Sequence, residues 1–287
     1  MNKKLLSIGH GYSARALARL LVADGWEITG TTRSAEKAEE IAATGVTPLI
    51  WPGADLAACL QDFSHVLLSA APGPEGDPVL AQDAKAFEEA APQLRWVGYL
   101  STTGVYGDQQ GGWVDETTPL TPGTRRGQAR VEAETGWSAI PGLPLHIFRL
   151  AGIYGPGRGP FAKVRDGSAR LIIKENQFFS RIHVEDIAQA LCLSLNAPEP
   201  GGVYNLCDDL PAPPEDVIAH AAALLGLPRP PEVDFETADM SPMARSFYAE
   251  SKKVRNDRIR AALHWQPRYP DYRAGLAALL ALERGAT

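Results

Sequence analysis

Gly9-His10-Gly11-Tyr12-Ser13-Ala14 follows an apolar run at residues 5–8 and precedes Ala16, Leu17, Leu20 and Leu21 at helical spacing. This is G-x-G-x-x-A between a strand and a helix, a pattern suited to holding a dinucleotide. Gly9 can supply the tight turn. Gly11 removes a side chain where a pyrophosphate must approach the backbone, and Ala14 lets the helix sit close to the strand. Tyr12 and Ser13 then lie in the first helical turn, whose free N–H groups face an anion. Small residues also fill such turns for packing alone. Here Gly25 ends the helix and residues 26–31 supply a second strand, so the context that the motif requires is present.

That second strand ends in Thr31-Thr32-Arg33-Ser34, where an NAD-binding chain carries an acid for the ribose hydroxyls. Arg33 cannot accept those bonds. Its planar fork suits a 2′-phosphate, with Thr32 and Ser34 as added donors, which favours NADP over NAD. The other reading of Arg33 is a solvated residue at the start of a helix.

Strands and helices alternate along the chain through residue 148. Helices are expected at 35–43, 55–60 and 82–91, and strands at 46–51, 65–69 and 96–100. The fold class is therefore α/β, a doubly wound parallel sheet of the Rossmann type. Ligands in such sheets bind at the carboxyl ends of the strands. Beyond Tyr154 the pattern loosens around Gly155-Pro156-Gly157 and Gly159-Pro160. Later expectations are strands at 171–173, 182–184 and 203–206, helices at 186–195, 214–225, 255–263 and 272–282, a connector at 198–202 and an exposed loop at 228–242. The domain division read from this is 1–150 for the dinucleotide-binding domain and 151–287 mainly for a smaller α/β substrate lobe. Residues 178–200 or so are expected to pack back onto the first sheet.

With 287 residues, 45% of them hydrophobic, the chain can bury a large core. The formal charge is −6 with no long basic run, which argues against nucleic acid as a partner. Cys59, Cys192 and Cys207 are odd in number and lack metal-ligand spacing, which fits reduced thiols in a cytoplasmic protein and no metal. Lys3-Lys4 precedes only a short apolar run, so neither a signal peptide nor a membrane span is expected.

LSTTGVYG at 100–107, RLAGIYGPGR at 149–158, RIHVEDIAQAL at 181–191 and VYNLCDD at 203–209 occur in this order. With the tail SKKVRNDRIRAALHWQPRYPDYRAGL, the chain resembles the extended short-chain dehydrogenase/reductase family, the NAD-dependent epimerase/dehydratase-like group, nearly end to end. The resemblance implies an NAD(P)-binding Rossmann lobe and a C-terminal lobe closing a substrate cleft. It implies oxidoreductase, epimerase or dehydratase chemistry on a small polar, nucleotide-sugar-like substrate. Family members often pair through two helices per subunit, which by analogy implies a homodimer using residues 82–91 and 127–136.

The family does hydride chemistry with a Ser or Thr, a Tyr, and a Lys four residues after it; the Lys lowers the Tyr pKa for proton exchange with the substrate. Thr102, followed by Thr103, matches the hydroxyl position. The segment 122–134 resembles P-x-x-x-Y-G-x-x-K-x-x-x-E, but Arg126 stands at the Tyr position and Arg130 at the Lys position. A guanidinium stays protonated and cannot relay a proton as a phenol does, so the chain is an atypical member. Arg130 could still reach the nicotinamide ribose and Arg126 an anionic substrate oxygen; the other reading is two exposed arginines in salt bridges with Glu132 or Glu134. Tyr106 and Tyr154 are the candidates for a replacement acid, each equally readable as a packing tyrosine. The resemblance also places Ser69, Ala70 and Ala71 beside the cofactor, and Arg158, Arg181 and His183 on an anionic substrate group, with Tyr154 near them. An alternative to the enzyme is an NADP-binding redox sensor that has lost catalysis.

Overall fold

The computed structural model describes residues 3–196 and 201–285. Two compact units emerge, Met1–Thr102 with Arg125–Arg149 and Ile187–Tyr204, and Thr103–Thr124 with Leu150–Asp186 and Asn205–Thr287.

The first unit carries the strands β1 (Lys4–Ile8), β2 (Glu27–Thr32), β3 (Thr47–Ile50), β4 (His65–Leu68), β5 (Trp96–Thr102), β6 (Leu145–Leu150) and β7 (Gly202–Leu206). They form one seven-stranded sheet in the order β7-β6-β5-β4-β1-β2-β3, a parallel α/β fold of the Rossmann type. Leu5, Leu6, Val66 and Leu67 are buried on both faces of the sheet, which is why β1 and β4 read as unbroken apolar runs rather than alternating ones. In register, Leu6 lies between Thr29 of β2 and Val66 of β4. The strand order reverses at β1, the point where open α/β sheets leave a crevice at the strand ends.

The accompanying helices are α1 (Tyr12–Ala23), α2 (Ala35–Ala42), α3 (Leu56–Leu60), α4 (Pro78–Ala90), α5 (Arg125–Ser138) and α6 (Val184–Leu195). Their buried faces meet the sheet in a cluster that includes Ile8, Leu68, Val97, Tyr99, Phe87 and Trp137. Phe87 and Trp137 meet edge to face at 4.8 Å, joining α4 and α5. Helix α4 starts four residues before the expected position, because Asp77 caps the N–H groups of Val79 and Leu80 and Pro78 occupies the first turn. Arg149 of β6 and Glu134 of α5 form a buried ion pair at 2.7 Å, and Ser101 of β5 donates its hydroxyl to Glu134 at 2.6 Å.

The second unit is built from short parallel pairs, Gly152–Tyr154 with Arg181–His183, Leu171–Ile173 with Glu232–Asp234, and Trp113–Val114 with Lys253–Val254. Its core gathers Tyr154, Phe161, Val217, Ala221, Leu276 and Leu279 around the helices Pro214–Leu225 and Tyr272–Gly285. Several sequence expectations need correction here. The stretch 228–242 is not a plain loop, since Glu232–Asp234 is a strand; Val233 alone is apolar in it, so the partner Leu171–Ile173 rather than local pattern makes it a strand. The expected strand at 182–184 lies one residue earlier, at Arg181–His183. Finally, 103–124 belongs to the second unit, because Gln109 and Gly111 donate to the Ser251 carbonyl and Trp113–Val114 pairs with Lys253–Val254. The returning segment begins at Ile187 rather than near 178. Of the expected connector at 198–202, residues 198–200 lie outside the described residues and Gly202 opens β7.

Candidate functional site

The loop after β1 is pinned to the end of β2 by two hydrogen bonds. Gly9 N–H donates to the Thr31 hydroxyl at 2.8 Å and His10 N–H to the Thr31 carbonyl at 3.0 Å. Gly9 has φ +79°, and a Cβ there would sit 2.6 Å from the Ala70 nitrogen and 2.9 Å from the Ser69 carbonyl carbon. Only glycine fits such a place. The same contacts put Ser69 and Ala70, at the end of β4, beside the loop; Ala71 follows them, exposed. His10 turns inward over Gly30, bonds Ser7 at 3.0 Å through Nδ1, and is held down at about 4 by burial and then by Arg15. It is a neutral packing group that fixes the loop's shape.

Gly11 differs from Gly9. Its φ of −100° is open to any residue, and an added Cβ would meet only the Gly9 carbonyl, at 3.7 Å. Absence of a side chain here serves neither the turn nor packing within the protein; it leaves room for something outside it. Gly11 is also the N-cap of α1, and no side chain caps that helix or puts an acid in its first turn, which runs from Tyr12 through Ser13 and Ala14. An uncapped helix end beside a bare backbone is the arrangement that receives a pyrophosphate.

Arg33, between β2 and α2, is exposed and makes no hydrogen bond or ion pair among the described residues. The Thr32 hydroxyl accepts the Ser34 N–H at 3.3 Å, and the Ser34 hydroxyl caps α2 by accepting from Lys37 N–H at 3.4 Å. Both hydroxyls keep their own hydrogen for donation.

The positions expected to be catalytic divide. Thr102 ends β5, half-buried, and Thr103 opens a buried 3₁₀ turn, Thr103–Tyr106. Arg126 is exposed in the first turn of α5. Arg130, one turn on, is half-buried; its Nη1 donates to the Tyr99 hydroxyl at 3.0 Å and to the Leu100 carbonyl at 2.7 Å. Its place is thus fixed against β5, with Nη2 and Nε unbonded among the described residues. Neither arginine pairs with Glu134, which is taken by Arg149 and Ser101. The expectation of Tyr106 as replacement acid needs correction: it is fully buried and donates to Asn205 Oδ1 at 2.7 Å, so its proton is committed within the protein.

In the second unit, Tyr154, Arg158, Arg181 and Tyr272 line one cavity of about 260 Å³. Ile153, Val217 and Leu276 complete its apolar walls. The Tyr154 hydroxyl is buried without a partner, and burial pushes it far above the usual phenol range, so it does not titrate near neutrality. Arg181 is half-buried and spends Nη1 on the carbonyls of Phe179 (2.8 Å) and Ala212 (3.1 Å). No carboxylate lies within ion-pair distance of it among the described residues. Asp208 is near enough to feel its charge, yet burial outweighs that and pushes Asp208 up to about 8. His183 was expected with these arginines but does not line the cavity. Its ring is buried, stacks edge-on against Tyr154 at 5.1 Å, and accepts the Glu185 N–H through Nδ1, so it supports the start of α6. Tyr272 was not singled out in the sequence: it lies in the family-like tail, at the start of the closing helix, and nothing local marks its ring as lining a cavity. Among the described residues no cluster of His, Cys, Asp and Glu could hold a metal ion, and no helix is long and apolar enough to cross a membrane.

Comparison with known proteins places this architecture. The chain is 31% identical over 282 residues to protein YeeZ of Escherichia coli (strain K12), covering 94% of this chain and 97% of that one. A conserved protein of unknown function from Silicibacter pomeroyi superposes with a TM-score of 0.94 at 59% identity, over 97% of this chain and 98% of the other. A protein assigned to the NAD-dependent epimerases/dehydratases from Methylobacillus flagellatus does so with a TM-score of 0.74 at 28% identity, over 99% and 100%. No family model matches the chain. The chain belongs to the extended short-chain dehydrogenase/reductase family, NAD-dependent epimerase/dehydratase-like, as an atypical member.

Proposed function

We propose that this chain binds NADP through the loop Gly9–Ala14 and Arg33, and that it is an oxidoreductase or epimerase/dehydratase-like enzyme acting on a small polar substrate, of nucleotide-sugar type or smaller. The observation that carries the reading is Gly11, a glycine that neither the backbone nor the neighbouring atoms require. It sits at an uncapped helix end, one strand away from an arginine without a partner among the described residues. The amides of the α1 first turn hold the pyrophosphate; Ser69, Ala70 and Ala71 border the cofactor; Arg33, helped by the Thr32 and Ser34 hydroxyls, holds the 2′-phosphate. The cofactor, when bound, supplies hydride transfer.

The chain's own residues then position the substrate rather than relay its proton. Thr102 is a hydrogen-bond donor for a substrate oxygen, with Thr103 beside it. Arg130 offers Nη2 and Nε to the cofactor ribose while Nη1 holds it on β5. Arg126 offers its guanidinium donors to an anionic oxygen. Arg158 and Arg181 bind the charged part of the substrate. Stereospecific hydride transfer from NADPH, followed by absorbance with pooled metabolites, tests this. Turnover that depends on Thr102 is expected; none with any substrate, despite tight cofactor binding, contradicts it.

A second reading is an NADP-dependent redox sensor. It is favoured by the commitment of the Tyr106 hydroxyl to Asn205, which leaves Thr102 as the only hydroxyl of the expected catalytic set that is not buried. A sensor must bind NADP+ and NADPH with unequal affinity. Equal affinities eliminate it.

A further inference from the structure

The cavity of the second unit constrains the ligand's chemistry more tightly than its fold does. At about 260 Å³ it is smaller than the roughly 300–1,000 Å³ of sites that bury drug-sized ligands, so it encloses a compact group. Its inner walls are Ile153, Val217 and Leu276 with the rings of Tyr154 and Tyr272, so Arg158 and Arg181 are the charged groups that line it and the rest of the surface suits an apolar body.

Against these walls stands one positive group without an ionic partner. Among the described residues Arg181 makes only carbonyl hydrogen bonds, both from Nη1, leaving the Nε–Nη2 edge of its donor fork unfilled. Asp208 does not neutralise it, because burial keeps that carboxyl protonated to about pH 8. A half-buried guanidinium with an open fork and no counter-charge is stabilised by a planar anion that matches it with two parallel hydrogen bonds. Arg158 is exposed at the rim and adds a second positive charge on the approach. Tyr154 gives this wall its ring only, since its hydroxyl is packed against Gly275 without accessible surface.

We propose that this cavity binds a compact aryl carboxylate, its carboxylate forked on Arg181 and its ring held between apolar walls and the tyrosine faces. The proposal rests on the reading of Arg158 and Arg181 as the substrate's anion site and names the class of substrate that site takes. One negative charge answers Arg181; the flat apolar body fills the volume that a sugar's hydroxyls would leave unsatisfied.

trans-Cinnamate is a suitable probe, titrated calorimetrically into the full-length protein with and without saturating NADPH. UDP and inorganic pyrophosphate are the competing probes. Cinnamate is expected to bind at about 1 mM or tighter, to weaken about tenfold in Arg158→Ala, and to lose binding in Val217→Trp, which fills the cavity. Arg158→Ala changes an exposed side chain, so it remains informative if Val217→Trp fails to fold. No cinnamate binding, binding unchanged in the variants, or displacement of cinnamate by UDP or pyrophosphate overturns the proposal. NADPH affinity is read separately: cinnamate binding as expected in a protein that ignores NADPH sustains the cavity's assignment while the proposed enzyme falls.

Discussion

Two glycines two residues apart make opposite predictions. Gly9 is required by the protein itself, through φ +79° and the backbone of residues 69 and 70. Gly9→Ala should therefore cost roughly 1–3 kcal/mol of folding stability. Gly11→Val should leave the free energy of unfolding in urea within about 1 kcal/mol of the parent, since its Cβ meets nothing closer than 3.7 Å, yet reduce NADPH affinity more than about tenfold. A stable Gly11→Val protein with unchanged affinity would place the pyrophosphate elsewhere. These roles were legible in the sequence because a turn is local and its residue types report its geometry. The role of Tyr106 was not. Its hydroxyl partner, Asn205, is 99 positions away, and no local pattern announces such a bond.

At the scale of elements, α5 is tied to the sheet by Glu134, which takes Arg149 from β6 and the Ser101 hydroxyl from β5. All three groups are buried. Glu134→Gln leaves the Arg149 charge in the interior without a counter-charge and should destabilise the protein by about 3–5 kcal/mol in urea unfolding. A loss below about 1 kcal/mol would mean that water reaches the pair. The motif spacing brought Glu134 into view as the acid closing the family's pattern, but Arg149 was seen only as the first letter of a later motif. Elements with their own punctuation were read well: the helix Pro214–Leu225 begins with proline and acids and ends at Gly226 with φ +66°, and its predicted bounds match. The strand Glu232–Asp234 has no such punctuation and exists through its neighbour. Helix α4 carried a start signal in Asp77-Pro78 that the apolar spacing alone overlooked.

Across the whole molecule, burial sets the response to acid. His10, His65, His146 and His183 are each held down at about 4, with desolvation the largest cause in every case. Between pH 6.5 and about 4 the unfolded chain binds protons on these rings that the folded chain refuses, so stability falls as pH falls through that window. Asp186 and Asp208 act in the opposite sense. Burial raises them to about 6 and about 8, and each favours the folded state more as pH falls through its folded value toward its unfolded one. Asp83, Glu116 and Glu215 are raised by burial as well and His220 is lowered, so the histidine contribution is read by difference: His146→Gln should lose less Tm than the parent between pH 6.5 and 4.5. The same fall in both proteins would show that imidazole to be solvated.

The parallel order of the sheet, reversing at β1, was legible from alternating patterns of strand and helix, and it puts the Gly9 loop and residues 69–71 at one strand end. The division into units was less so, because 103–124 joins the second unit through contacts with 251–254 that sequence proximity hides. Everything functional turns on one pairing, a pyrophosphate on the α1 end and a 2′-phosphate on Arg33. Fluorescence titration of NADPH and NADH into the parent protein and into Arg33→Ala measures it directly. The parent should bind NADPH at least about tenfold more tightly than NADH, and Arg33→Ala should bring the two within about threefold by weakening NADPH alone. NADH bound as tightly as NADPH by the parent, or no binding of either, would contradict it.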